Sequence, residues 1–199
     1  MDFQLTLNTE TKTQNTSKLS QLGKVLIYTT GGLAVGVSIV CIPFVSPAFR
    51  KVCLPYVPAT TDQLAGVTAA LKGRSGRLLD VGSGDGRIVF TAAKLGFKAE
   101  GVELNPVLVY FSKVSALFNH KYRETKFHRR NLWKFDMMPY NNIVIFGVEQ
   151  MMQDFERKLV LEAKDDTVVV ACRFPLPNMI PVETIGHGVD TVWKYIIKR

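Results

Sequence analysis

From residue 77 onward, short apolar runs alternate with stretches that have the periodicity of an α-helix. This alternation is typical of strand–helix–strand units, and it predicts an α/β fold with a Rossmann-like parallel sheet. We expect strands at 77–81, 98–102, 125–128, 142–146 and 167–172, and a final pair at 182–185 and 191–197. Helices are expected at 62–72, 87–95, 106–119 and 150–163, the first of them capped by Thr60 or Thr61.

Three prolines lie between the fifth and sixth predicted strands, at Pro175, Pro177 and Pro181. Proline removes a backbone donor and clashes with the preceding turn, so this tract cannot form a long helix. The helix that the alternation would otherwise place there must therefore be missing or very short.

The first predicted strand runs into a glycine-rich loop, with Gly82, Gly84 and Gly86 between Asp80 and Arg87. Glycines at alternate positions permit a tight turn and leave room for a ligand against the backbone. Arg87 then begins a helix whose free amide groups face the same place. In open α/β sheets, ligands bind beyond the carboxyl ends of the strands, which is where this loop lies.

A dinucleotide-binding loop is the obvious alternative. Its spacing is G-x-G-x-x-G, whereas the three glycines here follow G-x-G-x-G, and the bulky Arg87 stands at the third position of the dinucleotide pattern. Asp80 and Asp85 would repel a pyrophosphate, but they suit a ligand that carries cationic sulfonium and ammonium groups. A P-loop is excluded because no Gly-Lys-Ser/Thr follows. The loop therefore favours S-adenosyl-L-methionine, with Ser83 among its contacts.

Two further positions complete the predicted adenosyl site. Glu103 ends the second predicted strand, about 20 residues beyond the loop, where a carboxylate accepts both ribose hydroxyls. Asn131 follows the third strand and can bond an adenine edge while Leu132 packs on the ring. The alternatives are a helix cap for Glu103, a task that Asn105 could perform, and a turn beside a core Trp133 for Asn131.

Composition adds few constraints. The net charge of +8 is compatible with nucleic acid, anionic lipid, an acidic partner or a basic compartment. We expect no nucleic acid as a partner, because no aromatic-rich signature accompanies the basic patches at 121–123 and 128–130. We expect no metal, since the histidines at 120, 128 and 187 and the cysteines at 41, 53 and 172 show no metal-ligand spacing.

The first 75 residues divide into three parts by composition. Residues 1–23 are polar and expected to be disordered. Residues 24–49 have no charge after Lys24 and are long enough for a bilayer, which needs about 20 residues. A cleaved signal and a buried core helix are the alternatives to a membrane helix. In residues 50–75, Pro55 and Pro58 favour an extended chain that packs on the domain at 76–199.

Together these residues resemble the seven-strand S-adenosylmethionine-dependent methyltransferases and, more narrowly, a small mitochondrial family of protein-lysine methyltransferases. The resemblance covers nearly everything between residues 43 and 193. Besides the loop at 80–87, it is carried by the runs at 50–60, 103–106, 132–134, 145–148 and 173–175.

The family has two branches, one acting on the ATP synthase c subunit and one on the ADP/ATP translocase. The runs at 146–148, 150–152 and 171–175 are similar to the c-subunit branch. The resemblance implies trimethylation of one lysine in that membrane subunit, at the mitochondrial inner membrane. It also implies that the amino-terminal apolar stretch serves targeting and anchoring, which brings the chain into contact with membrane lipid.

For the channel that admits the substrate lysine, the candidates are Glu149, Trp133 and Phe174. Aromatic rings can hold a methylated ammonium through cation–π attraction, although plain core packing is an equal alternative for each ring. Glu149 departs from the family pattern, in which a proline is expected, and this leaves the geometry of the substrate side open.

Two other functions remain as alternatives, an RNA or small-molecule methyltransferase and a non-catalytic scaffold at a membrane. Against the first, the Asn/Asp-Pro-Pro-Tyr/Phe signature of many base-amino methyltransferases is absent after the fourth predicted strand. Against the second, Asp80, the three glycines and Glu103 are all intact, whereas a scaffold could lose them.

Overall fold

The structure, a computed structural model, describes residues 20–45, 57–118 and 124–198. Several sequence predictions lie outside these residues, namely the first 19 residues of the polar segment predicted at 1–23, the run at 46–56 with Cys53, and the patch at 121–123 with the neighbouring His120. The disorder predicted for the end of the polar segment is wrong, because residues 21–23 belong to a helix. The chain divides into two compact units, Met1–Ile42 and Pro43–Arg199.

In the amino-terminal part, α1 (Gln21–Val45) is a single helix of 25 residues. Thr29, Thr30 and Ser38 donate their hydroxyls to carbonyl oxygens one turn earlier, at 2.9, 2.6 and 2.8 Å. Such bonds let a helix carry hydroxyl groups in apolar surroundings. Gln21–Ile39 is long and apolar enough to cross a membrane, a test that an amino-terminal signal sequence also passes. The predicted apolar helix is confirmed, and its insertion in a membrane stays a prediction.

The second unit is built on one seven-stranded sheet. Its strands are β1 (Arg77–Val81), β2 (Lys98–Glu103), β3 (Lys126–Arg129), β4 (Asn142–Phe146), β5 (Val168–Cys172), β6 (Glu183–Ile185) and β7 (Val192–Ile196). They lie in the order β3-β2-β1-β4-β5-β7-β6, with β1 to β5 parallel and β7 antiparallel to both of its neighbours. The predicted Rossmann-like sheet is confirmed, and the strand order reverses between β1 and β4, where such sheets bind ligands.

Helices cover both faces of the sheet. α2 (Thr61–Ala70), α3 (Arg87–Lys94) and α4 (Pro106–Phe118) share a core with Leu78, whereas α5 (Glu149–Glu162) shares the opposite core with Leu79. Successive strand residues point to opposite faces, so each strand supplies both cores. Thr60 caps α2, because its hydroxyl accepts from Gln63 N at 3.1 Å and the Gln63 side chain accepts from Thr60 N at 2.9 Å.

The proline-rich tract contains no helix between β5 and β6, and the structure describes every residue from 173 to 182. Its backbone is held by side chains instead. Leu176 N donates to Tyr195 Oη at 2.9 Å, and Asn178 N donates to Glu156 Oε2 at 2.9 Å. The prediction from the prolines is confirmed, and a loop follows β5 where a helix would otherwise stand.

Candidate functional site

The glycine loop turns sharply at the carboxyl end of β1. Gly82 N and Ser83 N both donate to Val102 O, at 2.9 and 3.1 Å, so the loop closes against the neighbouring strand β2. Gly82, Gly84 and Gly86 have φ values of 77°, 52° and 85°. These values lie in the left-handed region, which side-chain-bearing residues rarely adopt. The turn therefore depends on all three glycines.

Close packing fixes the loop as well. A Cβ at Gly101, in the middle of β2, would lie 2.5 Å from Ser83 Oγ, and a Cβ at Gly86 would lie 2.9 Å from the Phe127 ring. Ser112 Oγ, on α4, donates to Gly84 O at 3.2 Å. Gly101 was not predicted from the sequence, although an isolated glycine inside a strand is a signal of close backbone approach.

Asp80 lies at the end of β1 and is only 1% exposed. Its Oδ1 has no hydrogen-bond partner among the described residues, and Ser83 Oγ is likewise buried without a partner. Burial raises the pKa of the Asp80 carboxyl well above its ordinary value of 3.8, and the carboxylates of Glu103 and Asp85 raise this pKa further. Because native interiors leave few polar atoms unpaired, these two atoms point to a ligand.

Glu103 ends β2 beside the loop. Its Oε2 accepts from Gly84 N at 3.2 Å and its Oε1 accepts from Asn105 N at 2.7 Å. A carboxylate has about four acceptor positions, so two remain for further donors. Asn105 starts α4, since its Oδ1 accepts from Val107 N at 3.0 Å. The side chain that caps α4 is thus that of Asn105 and not that of Glu103.

Asp85 does not stand alone in the loop, because Arg87 holds its carboxylate. Arg87 Nε donates to Asp85 Oδ1 at 3.1 Å and Arg87 Nη2 donates to Oδ2 at 2.6 Å. Arg87 Nη1 also donates to Ala59 O at 2.7 Å. One guanidinium therefore ties the glycine loop to the segment before α2. No sequence pattern indicates this contact, because it joins residues far apart in the chain.

Asn131 begins the 3-10 turn Leu132–Lys134 by accepting from Trp133 N through Oδ1, at 3.0 Å. The donor that remains on its side chain is the Nδ2 amide. Leu132 packs against the core of the α5 face. An open cavity of about 400 Å³ follows the ends of β2 and β3, lined by Leu104, Arg129, Arg130, Asn131, Lys134, Phe135 and Asp136.

The three candidates for the lysine channel lie beyond the carboxyl ends of three parallel strands, β3, β4 and β5. Trp133 follows β3 and is 37% exposed, so it is not a core tryptophan. Glu149 is the exposed first residue of α5, after β4. Phe174 follows β5 and packs partly buried against the core of the α5 face. The structure places all three beyond carboxyl strand ends, the usual position of ligand-binding residues.

Helix α5 supports two of the segments that carry these candidates. Lys158 Nζ donates to Trp133 O at 3.4 Å and forms a short ion pair with Glu162, which in turn accepts from Met137 N at 3.2 Å. Glu156, nearly buried, holds the proline-rich tract after Phe174 through Asn178 N. These supports were not predicted from the sequence, because Lys158 and Glu156 resemble ordinary polar positions of a helix.

No group of three or more His, Cys, Asp or Glu residues that could hold a metal ion occurs in the described parts of the chain.

Comparison with known proteins agrees with this geometry. Residues 80–183 match the ANTKMT methyltransferase domain, and residues 16–50 match the N-terminal domain of the ATP synthase c-subunit lysine N-methyltransferases. The chain is 50% identical over 181 residues to the ATP synthase c-subunit lysine N-methyltransferase of Homo sapiens, covering 91% of this chain and 78% of that protein. It is 37% identical to the adenine nucleotide translocase lysine N-methyltransferase of Mus musculus, covering 85% and 76%.

A solved structure with the same fold is the RNA methyltransferase from Salinibacter ruber in complex with S-adenosyl-L-homocysteine. It superposes with a TM-score of 0.64 at 25% identity, over 71% of this chain and 94% of that one. S-adenosyl-L-homocysteine is S-adenosyl-L-methionine without the transferred methyl group, which identifies the cofactor of the fold. The chain belongs to the ATP synthase c-subunit lysine N-methyltransferase family, within the S-adenosylmethionine-dependent methyltransferases.

Proposed function

We propose that this chain transfers methyl groups from S-adenosyl-L-methionine to one lysine of the ATP synthase c subunit, at the mitochondrial inner membrane. The observation that carries the proposal lies at the end of β1, close to the Glu103 carboxylate, where the buried Asp80 Oδ1 and Ser83 Oγ have no partner among the described residues. The acceptor is supported by relatives about 50% identical to this chain that bear the name of that activity. The relative named for the adenine nucleotide translocase is less similar.

The residues at this end of the sheet fit the methionyl part of the cofactor. Asp80 offers a buried acceptor to the cationic ammonium, and an arriving positive charge lowers the pKa that burial has raised. Ser83 Oγ is a hydroxyl donor for the carboxylate. Gly82, Gly84 and Gly86 keep the backbone open to the ligand, and Asp85 keeps the loop in place through its pair with Arg87.

The adenosine part of the cofactor fits the residues at the carboxyl ends of the next two strands, β2 and β3. Glu103 has acceptor positions left for the two ribose hydroxyls after its bonds to Gly84 N and Asn105 N. Asn131 presents its Nδ2 amide to the adenine edge, and Leu132 packs on the ring. The cavity beside Asn131 provides the space for these contacts.

Bound S-adenosyl-L-methionine supplies a methyl carbon attached to a cationic sulfur. The lysine nitrogen attacks that carbon in line, and the carbon–nitrogen bond forms as the carbon–sulfur bond breaks. The chain must align the two atoms and exclude water, which is mainly a proximity effect. The amine must first be neutral, although its ordinary pKa is about 10.4. Burial in the channel and the nearby positive charge both lower that pKa.

Glu149, Trp133 and Phe174 form the lysine channel in this proposal. The rings of Trp133 and Phe174 attract the ammonium as it gains methyl groups. Glu149, at the start of α5, attracts the incoming lysine before it loses its proton. Helix α5 holds the two segments that carry these rings, through the bond from Lys158 Nζ to Trp133 O and the bond from Asn178 N to Glu156 Oε2.

The amino-terminal part of the chain has a role in this proposal too. We assign residues 1–23 to targeting, 24–49 to a membrane anchor, 50–75 to a segment that precedes the catalytic domain, and 76–199 to that domain. An anchored enzyme and a membrane-embedded substrate share one surface, which raises the effective concentration of each at the other. Contact with anionic lipid adds to the attraction, because the chain carries a net charge of +8.

The decisive experiment is radiolabelled methyl transfer by the full chain into solubilised mitochondrial membrane proteins. We expect the label on the c subunit and not on the translocase or on RNA. Glu103→Ala should lower labelling at limiting cofactor by more than about tenfold, since each hydrogen bond to a charged group contributes about 1.5–3 kcal/mol. The matched control is Glu183→Ala, an exposed carboxylate on the edge strand β6, which should label normally.

Each other result contradicts a defined part of the proposal. Label on RNA alone would exclude the lysine acceptor, and label on the translocase alone would move the chain to the other branch. Equal labelling by Glu103→Ala would remove the ribose assignment. Tight binding of NAD without binding of S-adenosyl-L-methionine, measured by calorimetry, would overturn the cofactor site.

A further inference from the structure

Helix α4 is apolar on both of its sides. Leu108 and Val109 are buried against the sheet. The opposite side is exposed, and its large apolar residues are Tyr110 (71% exposed), Phe111 (56%), Leu117 (78%) and Phe118 (86%). Their spacing of one and seven residues puts them on one face of the helix. A helix that is apolar all round normally has both sides covered, and no described residue covers the exposed face of α4.

The sequence that contains this face is strongly basic. Residues 104–134 contain seven Lys and Arg residues and a single acidic residue, Glu124, so they hold six of the eight excess positive charges of the chain. Lys113 lies on α4, and Lys126 and Arg129 lie on β3, the edge strand that α4 covers. These three are exposed and form no ion pair with any described residue.

The cations continue toward the cofactor end of the sheet. Arg129, Arg130 and Lys134 line the open cavity that follows β2 and β3, together with Leu104, which precedes α4 by two residues. The apolar face of α4 and these cations therefore belong to neighbouring elements at one edge of the catalytic domain. We call it the α4 edge, meaning α4 with Lys126, Arg129, Arg130 and Lys134.

An apolar face bordered by cations is complementary to a membrane that contains anionic lipid. α4 has 13 residues, and at about 1.5 Å each it is too short to cross a hydrocarbon core of about 30 Å. A helix of this kind lies in the headgroup region with its aromatic side chains at the boundary. A second copy of the chain does not fit this face as well, because the positive charges of two paired α4 edges would repel each other.

We propose that the α4 edge rests on an anionic lipid bilayer, as a second membrane contact besides α1. Tyr110, Phe111, Leu117 and Phe118 enter the headgroup boundary, and the flanking Lys and Arg side chains bind lipid phosphates. The inference rests on the part of the proposed function that places the chain at a membrane, and it holds for any methyl acceptor. Its consequence is a catalytic domain held with one edge on the bilayer.

The test uses the full chain reconstituted with vesicles of phosphatidylcholine and phosphatidylglycerol, in which part of the phosphatidylcholine carries brominated acyl chains. Leu117→Trp puts a probe on the exposed face of α4. Leu161→Trp is the matched control, because Leu161 is also 78% exposed but lies on α5, across the sheet. The chain has two tryptophans of its own, so one added probe contributes about a third of the emission.

We compare the fraction of tryptophan emission that brominated lipid quenches in each protein. For Leu117→Trp this fraction should exceed that of the unsubstituted chain by up to about one-third. For Leu161→Trp it should not exceed that of the unsubstituted chain. Lys113→Glu in the Leu117→Trp chain should weaken the extra quenching, because each Lys near an anionic surface contributes about 1 kcal/mol, a change of about fivefold. Vesicles without phosphatidylglycerol should weaken it in the same way.

Three results would overturn the inference. The first is equal quenching of the two tryptophan variants while the chain sediments with the vesicles, which would leave α1 as the membrane contact. The second is a blue-shifted Leu117→Trp spectrum that brominated lipid does not quench, which would show a protein partner on this face. The third is a chain that does not sediment with vesicles at all, which would also remove the membrane anchor of the proposed function but not its methyl transfer.

Discussion

Two buried carboxylates lie on neighbouring strands in different situations. Glu100, in the middle of β2, is 6% exposed and accepts from Arg77 Nη2 at 2.8 Å, from His128 Nε2 at 2.8 Å and from Tyr140 Oη at 3.0 Å. Asp80, near the end of β1, is 1% exposed, and its Oδ1 has no partner in the described part of the chain. Both oxygens of the Glu100 carboxylate thus have hydrogen-bond partners within the protein, whereas Oδ1 of Asp80 has none among the described residues.

Burial acts in the same direction on both groups, because it disfavours the charged form. For Glu100 burial alone would raise the pKa, but the hydrogen bonds from His128, Arg77 and Tyr140 outweigh it, and the pKa is lowered. For Asp80 burial raises the pKa and nothing opposes it, since the nearby Glu103 and Asp85 are carboxylates too. A buried carboxylate whose oxygens are paired stabilises the fold, whereas one with an unpaired oxygen is a candidate for ligand binding.

Glu100→Leu should give the largest effect on stability. It leaves Arg77, His128 and the buried hydroxyl of Tyr140 without their shared acceptor, and a buried donor left without a partner costs about 1–3 kcal/mol. Urea unfolding should show this loss in the free energy of unfolding, and Glu100→Gln, which keeps one acceptor oxygen, should lose less. The affinity of the folded variant for S-adenosyl-L-methionine should stay unchanged. Unchanged stability would refute the structural role of Glu100.

Asp80→Asn should distinguish a structural role from a role in cofactor binding, because it should raise stability and lower the affinity for the cofactor. Removing a buried charge without a partner should raise the free energy of unfolding by about 1 kcal/mol. The same change should weaken cofactor binding by about tenfold or more, since a charged acceptor is lost. Urea unfolding and calorimetric titration measure the two effects on one sample. Lower stability with normal affinity would make Asp80 a structural residue like Glu100.

The smallest effect is the dependence of stability on pH, which should have opposite sign for the two groups. The Asp80 pKa is raised in the folded state, so its penalty is absent below the ordinary pKa of 3.8 and grows as pH rises above it. The Glu100 pKa is lowered, so its contribution is present above the ordinary 4.5 and is lost as pH falls.

Urea unfolding from neutral pH downward checks this prediction on Asp80→Asn and Glu100→Gln beside the unsubstituted chain. The advantage of Asp80→Asn should shrink as the solution becomes more acidic, and so should the deficit of Glu100→Gln. Parallel stability curves for all three proteins would show that neither carboxylate changes its pKa on folding.

Much of the candidate site was predictable because its signals are local. Gly82, Gly84 and Gly86 follow a strand at a spacing that only a tight turn uses, and all three have positive φ. Glu103 follows at the distance of the next strand end. The remaining features join distant parts of the chain, as in the bond from Arg87 to Ala59 O and the packing of Ser83 on Gly101. No local pattern reports such contacts.

The sequence alone determined the alternation of strands and helices, the position of the glycine loop, the loop after β5 and the apolar helix α1. All four depend on local properties of the chain, namely hydrophobic periodicity, the backbone geometry of proline and glycine, and the length of an uncharged run. Only the tertiary structure decided which charges are satisfied. It paired Asp85 with Arg87 and Glu100 with three partners, and it left Asp80 Oδ1 without a partner among the described residues. The physical reason is that the energy of a buried charge depends on its neighbours in space, and folding brings these together from distant positions in the chain.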